Sequence, residues 1–299
     1  MTKLHPAQLC ILALLVAPAA PGFCLAQSAS RLPFVVGERI SYRVSVARLG
    51  TVGTGAMWIE GPVDIRGIST WLLRFDFSAG RGPLKAADRT SSWLDPVRMS
   101  IQRFQKHEDH VLSRRDELIE VFPSRQQWAS RDGDAGDTPT DAPLDELSFM
   151  YFIRTLELDD DTTTYQFNRH FDRDRNPTTV HVIRRESVAT PAGKFATVLV
   201  EMRVKDPRRY RGEGRILINL TDDSVRLPVR IESTMPLIGR AVMTLQSFNN
   251  PAGRKLARLS ASVTHGDAGR TSSHYDVVKR IDDFLFPDDV GDRHRDEMR

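Results

Sequence analysis

The chain has 299 residues, of which 42 are Lys or Arg and 39 are Asp or Glu, so its formal net charge is only +3. A charge this evenly balanced argues against a nucleic-acid binder, which relies on a one-sided positive surface. The length is enough for one large β domain or two small ones, and no stretch has the composition of an interdomain linker.

Residues 1–26 have the layout of a secretory signal peptide. Lys3 gives a positive start, an apolar run follows at 9–16, and Cys24-Leu25-Ala26 is a small-x-small exit. The apolar run is too short to span a bilayer, which takes about 20 residues. We therefore expect cleavage near Ala26, export, and no integral membrane segment in the mature chain.

Both cysteines, Cys10 and Cys24, fall inside this leader. The mature chain therefore has no thiol for catalysis, disulfide formation or binding of soft metals. Cys24 is also at a position where bacterial lipoproteins are acylated, but that reaction requires a small residue before the cysteine, and Phe23 stands there. The sequence favours a free product over a lipoprotein.

The apolar residues of the mature chain recur with a period of two, which is typical of β-strands. In the segment 197–204, Val198, Val200 and Met202 share one face and Glu201 lies on the other. Comparable runs occur at residues 39–47, 56–60, 71–78, 97–105, 117–122, 178–185, 215–220, 229–233, 241–248 and 256–264. About eleven strands in series predict a meandering antiparallel sheet.

Polar turns separate several of these strands. In the turn 190–194, Pro191 fixes φ and Gly193 is free to adopt the left-handed conformation, which predicts a hairpin. The polar run 221–224 predicts a second break. Pro228 just beyond it cannot donate to a strand ladder and is expected at an edge or a bulge.

Residues 144–158 depart from the strand pattern and predict a helix. The segment has no Gly or Pro and carries Asp145 and Glu146 in its first turn. Its centre, residues 149–153, is apolar almost all round, so it is expected to be buried on more than one side. It is either a plug packed on the concave face of the sheet or a lid over a cavity for an apolar ligand.

The segments outside the sheet are polar. Residues 130–143 are rich in Asp, Gly, Thr and Pro and predict an exposed loop. We expect a signal peptide at 1–26, a single curved β domain at 27–265 and a polar C-terminal tail at 266–299. Within the tail, five apolar residues at helical spacing predict a short amphipathic helix that docks on the domain or on a partner: Val277, Val278, Ile281, Phe284 and Leu285.

The candidate metal-binding and cofactor-binding motifs do not match the patterns that such sites require, so we expect no metal and no cofactor. His107 and His110 lie in strand or loop sequence, which points them to opposite sides. The run 172–176 imitates the start of a calcium loop, but Pro177 stands at the glycine position. The acidic run 132–137 is more typical of a flexible loop than of an ion site.

Catalytic motifs are equally weak. Residues 67–71 lack the second glycine of a nucleophile elbow, and no phosphate-binding loop occurs. A pair of strand glutamates about 5 Å apart would be able to hydrolyse a glycoside, and the candidates are Glu38, Glu60, Glu186, Glu201, Glu213 and Glu232. Strand glutamates are usually solvated or salt-bridged, which favours a non-enzymatic protein.

Several fragments, in this order and spacing, resemble an exported bacterial family known only as a domain of unknown function. They are Phe34-Val35-Val36-Gly37-Glu38 with Tyr42, Tyr151 to Arg154, Glu186-Ser187-Val188 with Thr190-Pro191-Ala192-Gly193 and Phe195, and Leu220-Thr221-Asp222-Asp223 with Arg226, Pro228 and Val229. The resemblance implies a periplasmic location in Gram-negative bacteria and a mainly β fold related to the half-barrels of periplasmic lipoprotein carriers. It implies no activity and no site residues.

We therefore expect an all-β fold, mainly one large curved antiparallel sheet or half-barrel with one helix on its concave face. A gap beside the helix would form an apolar groove, and the residues expected to line it are Phe149, Tyr151, Phe152 and Arg154. Arg154 is also expected to neutralise a buried acid, because a lone buried charge is costly. The two candidate partners are Glu38 and Glu186.

The leading functional hypothesis is non-enzymatic binding of an apolar or amphiphilic envelope ligand, such as a lipid, an acyl chain or a segment of an envelope protein. The alternatives are a polysaccharide-binding or glycan-active envelope protein and a scaffold for envelope assembly. Carboxylates that converge in an open cleft would favour the polysaccharide-binding or glycan-active hypothesis. A continuous apolar groove would favour binding of an apolar or amphiphilic ligand.

Overall fold

The computed structural model describes residues 32–47, 49–81, 84–110, 113–159, 162–206, 213–235 and 239–251. The predicted signal peptide (1–26), the strand predicted at 256–264 and the predicted tail (266–299) with its short helix lie outside these ranges. No helix within these ranges is long and apolar enough to cross a membrane.

Fourteen strands make up most of the described chain. They are β1 (Arg39–Val46), β2 (Gly50–Ile65), β3 (Ile68–Arg81), β4 (Leu84–Asp95), β5 (Ser100–His110), β6 (Ser113–Phe122), β7 (Gln127–Ser130), β8 (Ala135–Asp137), β9 (Thr164–Phe167), β10 (Thr178–Thr190), β11 (Gly193–Lys205), β12 (Glu213–Thr221), β13 (Pro228–Met235) and β14 (Gly239–Asn249). One α-helix, α1 (Glu146–Phe152), and three short 3-10 turns, at Pro123–Arg125, Ile153–Thr155 and Arg173–Arg175, complete the elements of these ranges.

The strands form one antiparallel sheet with the order β8-β7-β6-β5-β4-β3-β2-β1-β14-β13-β12-β11-β10-β9. Each half is a meander of sequential neighbours, and the halves meet where β1 pairs with β14, for example through Tyr42 and Leu245. The sheet is curved but not closed into a barrel. The predicted fold class, a large curved antiparallel sheet with a single helix, is confirmed.

Strand β1 shows how the sequence builds the concave face. Its residues alternate, so that Ile40, Tyr42, Val44 and Val46 are buried, and burying each such side chain contributes about 1.5 to 3 kcal/mol. The Tyr42 hydroxyl donates to the carbonyl oxygen of Pro228 at 2.9 Å. The register of β12 with β13 shifts beside Pro228, which fits a residue that has no N–H to donate.

Four strands were not expected from the sequence. In β4 the apolar alternation is replaced by hydroxyl side chains, and Thr90, Ser91 and Ser92 are nevertheless buried. Strands β7, β8 and β9 have only three or four residues, too few for a period of two to be recognised. The prediction that 130–143 is entirely loop is wrong, because β7 pairs with β8 inside and beside it.

The helix is about half as long as the predicted segment 144–158. It begins after Asp145, whose carboxylate accepts the N–H groups of Leu147 and Ser148 at 2.8 Å each, while the Ser148 hydroxyl accepts the Asp145 N–H at 2.8 Å. This reciprocal capping fixes the start. After Phe152 the chain tightens into a 3-10 turn that buries Ile153 and Arg154, so interior contacts end the helix early.

The hairpin predicted at 190–194 joins β10 and β11, and Thr190 pairs with Gly193. Gly193 has φ of +136°, a positive value that disfavours any residue with a Cβ. A Cβ built there would also lie 3.8 Å from the Phe195 ring. The turn therefore depends on glycine because of its backbone rather than because of crowding.

Candidate functional site

A cavity of about 230 Å³ lies on the concave face beside α1. Strands from both halves of the sheet supply its walls. Four methionines border it, contributed by β2, α1, β11 and β14: Met57, Met150, Met202 and Met243. Because methionine is flexible and polarizable, such a wall adapts to ligands of different shape.

The cavity lies beside a short helix. With seven residues, α1 is about 10 Å long and covers only part of the concave face. Side chains two positions apart on the same strand point to the same side, so Ile231 and Ser233, like Ala241 and Met243, border the uncovered part together. The apolar inner face of the sheet thus continues beyond the helix.

One part of the cavity wall is charged. The Lys106 ammonium donates to Oε1 of Glu146 at 2.8 Å, and Oε2 of Glu146 lies 3.6 Å from Nη1 of Arg175 and 3.9 Å from Nε2 of His170. Burial alone would raise the pKa of Glu146, but Lys106, His170 and Arg175 hold this pKa well below its ordinary value. Glu146 is therefore an ionised carboxylate inside a ring of donors.

A tight turn positions His170 and Arg175 in this wall. The Asn176 side chain accepts the His170 N–H at 2.9 Å and donates to the carbonyl oxygens of His170 and Asp172 at 3.0 and 2.8 Å. The run 172–176, which imitates a calcium loop in sequence, thus uses its amide within the loop. No cluster of metal-ligating side chains occurs among the residues that the structure describes.

Asp145 borders the same cavity and is buried. The Ser92 hydroxyl of β4 donates to its second carboxylate oxygen, while the first caps the helix. Burial raises the pKa of Asp145 to about 7, against the opposing effect of its hydrogen bonds to Ser92 and Ser148. The helix start is therefore coupled to the protonation of a cavity residue.

The four helix residues expected to line a groove lie in different surroundings. Phe149 borders the cavity. Tyr151 is buried and packs edge-on against Phe34, with ring centroids 5.0 Å apart, and Phe152 packs against Phe149 and Phe167. The cavity wall thus includes Phe149 but not Tyr151, Phe152 or Arg154.

Arg154 forms a buried two-point ion pair with Glu38. Nη1 and Nη2 donate to the two carboxylate oxygens at 2.6 and 2.9 Å, and both side chains are 0% exposed. Arg154 also donates to the carbonyl oxygens of Pro33 and Val225 at 3.1 and 3.2 Å, and Asn250 donates to Glu38 at 2.8 Å. These bonds link the helix end, the start of the domain and the turn after β12.

Glu186, the other candidate partner of Arg154, lies elsewhere. It accepts from Asn219 at 2.8 Å and from Arg184 at 2.7 Å. The hydrogen bond from Asn219, opposed by burial and helped by Arg184, lowers the pKa of Glu186. Glu186 is therefore part of a separate ion pair on β10.

The strand glutamates considered for glycan hydrolysis each have a basic neighbour. The pairs are Glu38 with Arg154, Glu60 with Arg74, Glu186 with Arg184, Glu201 and Glu213 with Arg203, and Glu232 with Arg230. None of these six borders the cavity. The histidines of β5 are paired in the same way, His107 with Asp116 and His110 with Asp88.

Sequence reasoning missed Met150, Lys106, His170 and Arg175 as cavity residues. Met150 stands inside the segment singled out for the groove, and an amphipathic analysis of a shorter helix would have found it. The other three come from β5 and from the turn before β10, and no spacing along the chain signals that they meet. Only the pairing of the strands brings them together.

Two solved structures that the chain matches differ in how closely their folds agree with it. A beta-barrel-like protein of the domain of unknown function DUF1849 from Brucella abortus has a TM-score of 0.50 at 12% identity, covering 73% of this chain and 98% of that chain. A candidate lipoprotein from Parabacteroides distasonis has a TM-score of 0.29 at 11% identity, covering 73% and 97%. The first likeness shows the fold alone, and the second is too loose to carry an argument.

No curated protein matches this chain. The family described as "Protein of unknown function (DUF3108)" matches residues 41–246. This match spans the sheet from β1 to β14 and takes in α1, the cavity and the turn that carries His170 and Arg175. The chain therefore belongs to the DUF3108 family.

Proposed function

We propose that this protein binds a small apolar or amphiphilic molecule in the cavity beside α1, without catalysing a reaction on it. The observation that carries the proposal is the composition of the cavity wall, which combines four methionines and other apolar side chains with a set of charged side chains that includes Lys106, Glu146 and Arg175. Ligand sites are typically apolar clefts with a few polar groups that fix orientation. An amphiphile matches both parts of this wall.

The proposal places this binding in the bacterial periplasm. The signal-peptide layout of residues 1–26 supports export. Residues 27–265 are then the mature binding domain, and residues 266–299 are a tail. A lipid or an acyl chain of the envelope is the class of ligand that this location and this wall favour together.

Binding is favoured over glycan hydrolysis by the surroundings of the carboxylates. A retaining glycosidase needs two carboxyl groups about 5 Å apart on either side of its substrate. The strand glutamates lie instead in ion pairs away from the cavity. The carboxylates that do border the cavity include Asp145, which is occupied as a helix cap.

Titration with a neutral fluorescent probe tests the proposal. The mature protein is expected to bind N-phenylnaphthylamine saturably, with about one probe per chain. Ala241, which is 5% exposed and borders the cavity, is replaced by Phe to fill it. Ala241→Phe is expected to weaken probe binding at least tenfold while the protein still unfolds cooperatively.

The matched control is Ala189→Phe, the same substitution at an exposed position of β10, which is expected to bind the probe like the wild type. Met243→Leu, a nearly volume-conserving change in the wall, serves if Ala241→Phe does not fold, and is expected to shift the affinity measurably. A folded wild-type protein that binds no probe would refute the proposal, as would equal binding by the filled and control variants.

A further inference from the structure

His170 presents an N–H group to the cavity wall that has no acceptor. Its Nδ1 accepts the backbone N–H of Asp172 at 3.1 Å, which leaves Nε2 as the ring's N–H donor. The side chain is 10% exposed, and Nε2 is buried and makes no hydrogen bond with any residue that the structure describes. A buried donor in this state carries a free-energy penalty that a suitable acceptor would relieve.

A carboxylate oxygen that has no hydrogen-bond donor lies beside this N–H group. Oε2 of Glu146 is buried and likewise makes no hydrogen bond with the described residues. It lies 3.9 Å from Nε2 of His170, too far for a hydrogen bond between them. One oxygen that accepts from His170 and donates to Glu146 would satisfy both atoms, and a hydroxyl group has this combination of roles.

Arg175 adds further donors at the same place. Its side chain is 8% exposed and borders the cavity. The three carboxylates around it, those of Glu146, Asp172 and Asp206, stand 3.6, 3.6 and 3.9 Å from its nitrogens, beyond hydrogen-bond distance. The positive charge of the guanidinium is thus balanced by nearby carboxylates, but its N–H groups donate no direct hydrogen bond to them.

The charge of the wall selects against an anionic headgroup. Three cationic side chains border the cavity, namely Lys106, Arg175 and Lys205, and so do four acidic side chains, namely Asp88, Glu146, Asp206 and Asp145, the last with a pKa raised to about 7. A fatty-acid carboxylate placed near Arg175 would face the ionised carboxylate of Glu146, with the Asp206 side chain also close to Arg175. A quaternary ammonium group would instead face Arg175 and Lys106.

From this geometry we infer that the ligand's polar end is an uncharged hydroxyl group, bound between His170, Arg175 and Glu146, with its apolar chain along the methionine wall. The inference rests on the proposed function and names its ligand class, a hydroxyl-bearing amphiphile such as a long-chain alcohol or a monoacylglycerol. Both orphaned atoms are covered by protein, so the proposal requires the Glu146 side chain, which is 35% exposed, to rotate when the hydroxyl binds.

Three ligands with apolar chains of similar length, about seven or eight carbons, and different headgroups test the inference by displacing N-phenylnaphthylamine from the mature protein. They are octanol, octanoate and octyltrimethylammonium. Octanol is expected to displace the probe at a concentration about tenfold lower than either ion, since a tenfold ratio is the effect of about one hydrogen bond. Octanoate displacing the probe as well as octanol would overturn the inference, as would a failure of octanol to displace it.

Two variants identify the groups responsible. His170→Phe keeps a planar ring but removes the donor, and is expected to weaken octanol binding about tenfold more than it weakens probe binding. Glu146→Gln removes the negative charge that repels octanoate. It is therefore expected to strengthen octanoate binding and to reduce the ratio of octanol affinity to octanoate affinity. The control Glu157→Gln, at an exposed glutamate after the helix, is expected to change neither.

The two proposals fail in different ways. If the wild-type protein binds the probe and Ala241→Phe does not, the cavity is a binding site, and an unchanged headgroup preference in both His170→Phe and Glu146→Gln overturns only the hydroxyl assignment. If the folded wild type binds no probe, the binding function itself is contradicted. Thermal unfolding of each variant separates a lost ligand contact from a lost fold.

Discussion

Arg154 and Glu38 hold each other through two hydrogen bonds of 2.6 and 2.9 Å although neither side chain is exposed to solvent. Desolvating two charges is expensive, and the extra bonds from Arg154 to Pro33 and Val225, and from Asn250 to Glu38, offset that cost. The pair lies away from the cavity wall. Its role is to fasten the end of α1 to the start of the domain.

Removing the charge of one partner of this pair is therefore expected to lower the free energy of unfolding far more than removing both charges. Arg154→Met should lower the free energy of unfolding by about 3 to 5 kcal/mol because it leaves Glu38 buried and unpaired. Arg154→Met combined with Glu38→Gln should recover part of that loss. Urea unfolding of the two variants measures both values.

The exposed pair of Arg184 and Glu186 is the control, and Arg184→Met should cost less than about 1 kcal/mol. If Arg154→Met costs no more than Arg184→Met, the ion pair does not stabilise the helix end as described.

The β10–β11 hairpin gives a second prediction. Gly193 has φ of +136°, so Gly193→Val should destabilise the fold by more than about 1 kcal/mol, the usual effect of replacing an unstrained glycine. Ala189→Val, on the same hairpin at an exposed strand position, should change stability little. Equal melting temperatures for both variants would contradict the assigned turn.

The pH dependence of stability should carry the signature of Asp145. Burial raises its pKa in the folded protein to about 7 from an ordinary 3.8, so the folded state binds the proton more tightly than the unfolded state. The sign follows from linkage: the contribution of Asp145 to stability is greatest at acid pH and declines as the pH rises from about 4 to about 7.

Asp145→Asn removes this titration while keeping a side chain that caps helices. The wild type should therefore lose stability relative to Asp145→Asn over that pH range, measured by urea unfolding at a series of pH values. A constant difference between the two proteins from pH 4 to pH 7 would show that Asp145 does not titrate in this way.

Substitutions at two neighbouring helix residues distinguish a role in ligand binding from a role in packing. Met150 borders the cavity, whereas Phe152 packs on Phe149 and Phe167. Met150→Ala should change probe affinity with a small loss of stability. Phe152→Ala should lose stability, by less than the roughly 3 to 5 kcal/mol of a fully buried phenylalanine, and keep its affinity. The reverse pattern would place the site on the other side of the helix.

The sequence predicts the parts of this structure that depend on local patterns. Alternation in β1, with Ile40, Tyr42 and Val44 on one face, and the turn at Gly193 follow from periodicity and backbone preference. Strand β4 was not predicted because several of its buried residues are polar. One of them, Ser92, donates its hydroxyl hydrogen bond to Asp145, which is distant in the sequence. Such a long-range bond leaves no local trace.

The candidate site was predictable only in part for the same reason. The sequence indicates that Arg154 needs a partner of opposite charge, but the choice of Glu38 over Glu186 depends on the tertiary fold, which brings Arg154 to Glu38. Met57 and Met243 lie on the two strands that flank β1 and border the same cavity. Their shared wall depends on a register between segments that lie far apart in the chain.

The central claim, that a ligand occupies the methionine-lined cavity, is tested most directly by NMR of the mature protein with ¹³C-labelled methionine methyl groups. Assigned by single Met→Leu variants, the signals of the four cavity residues, Met57, Met150, Met202 and Met243, should shift in a saturable way when octanol is added. The signal of Met99, which does not border the cavity, should stay in place. Unshifted cavity signals, or an equal shift at Met99, would contradict the account.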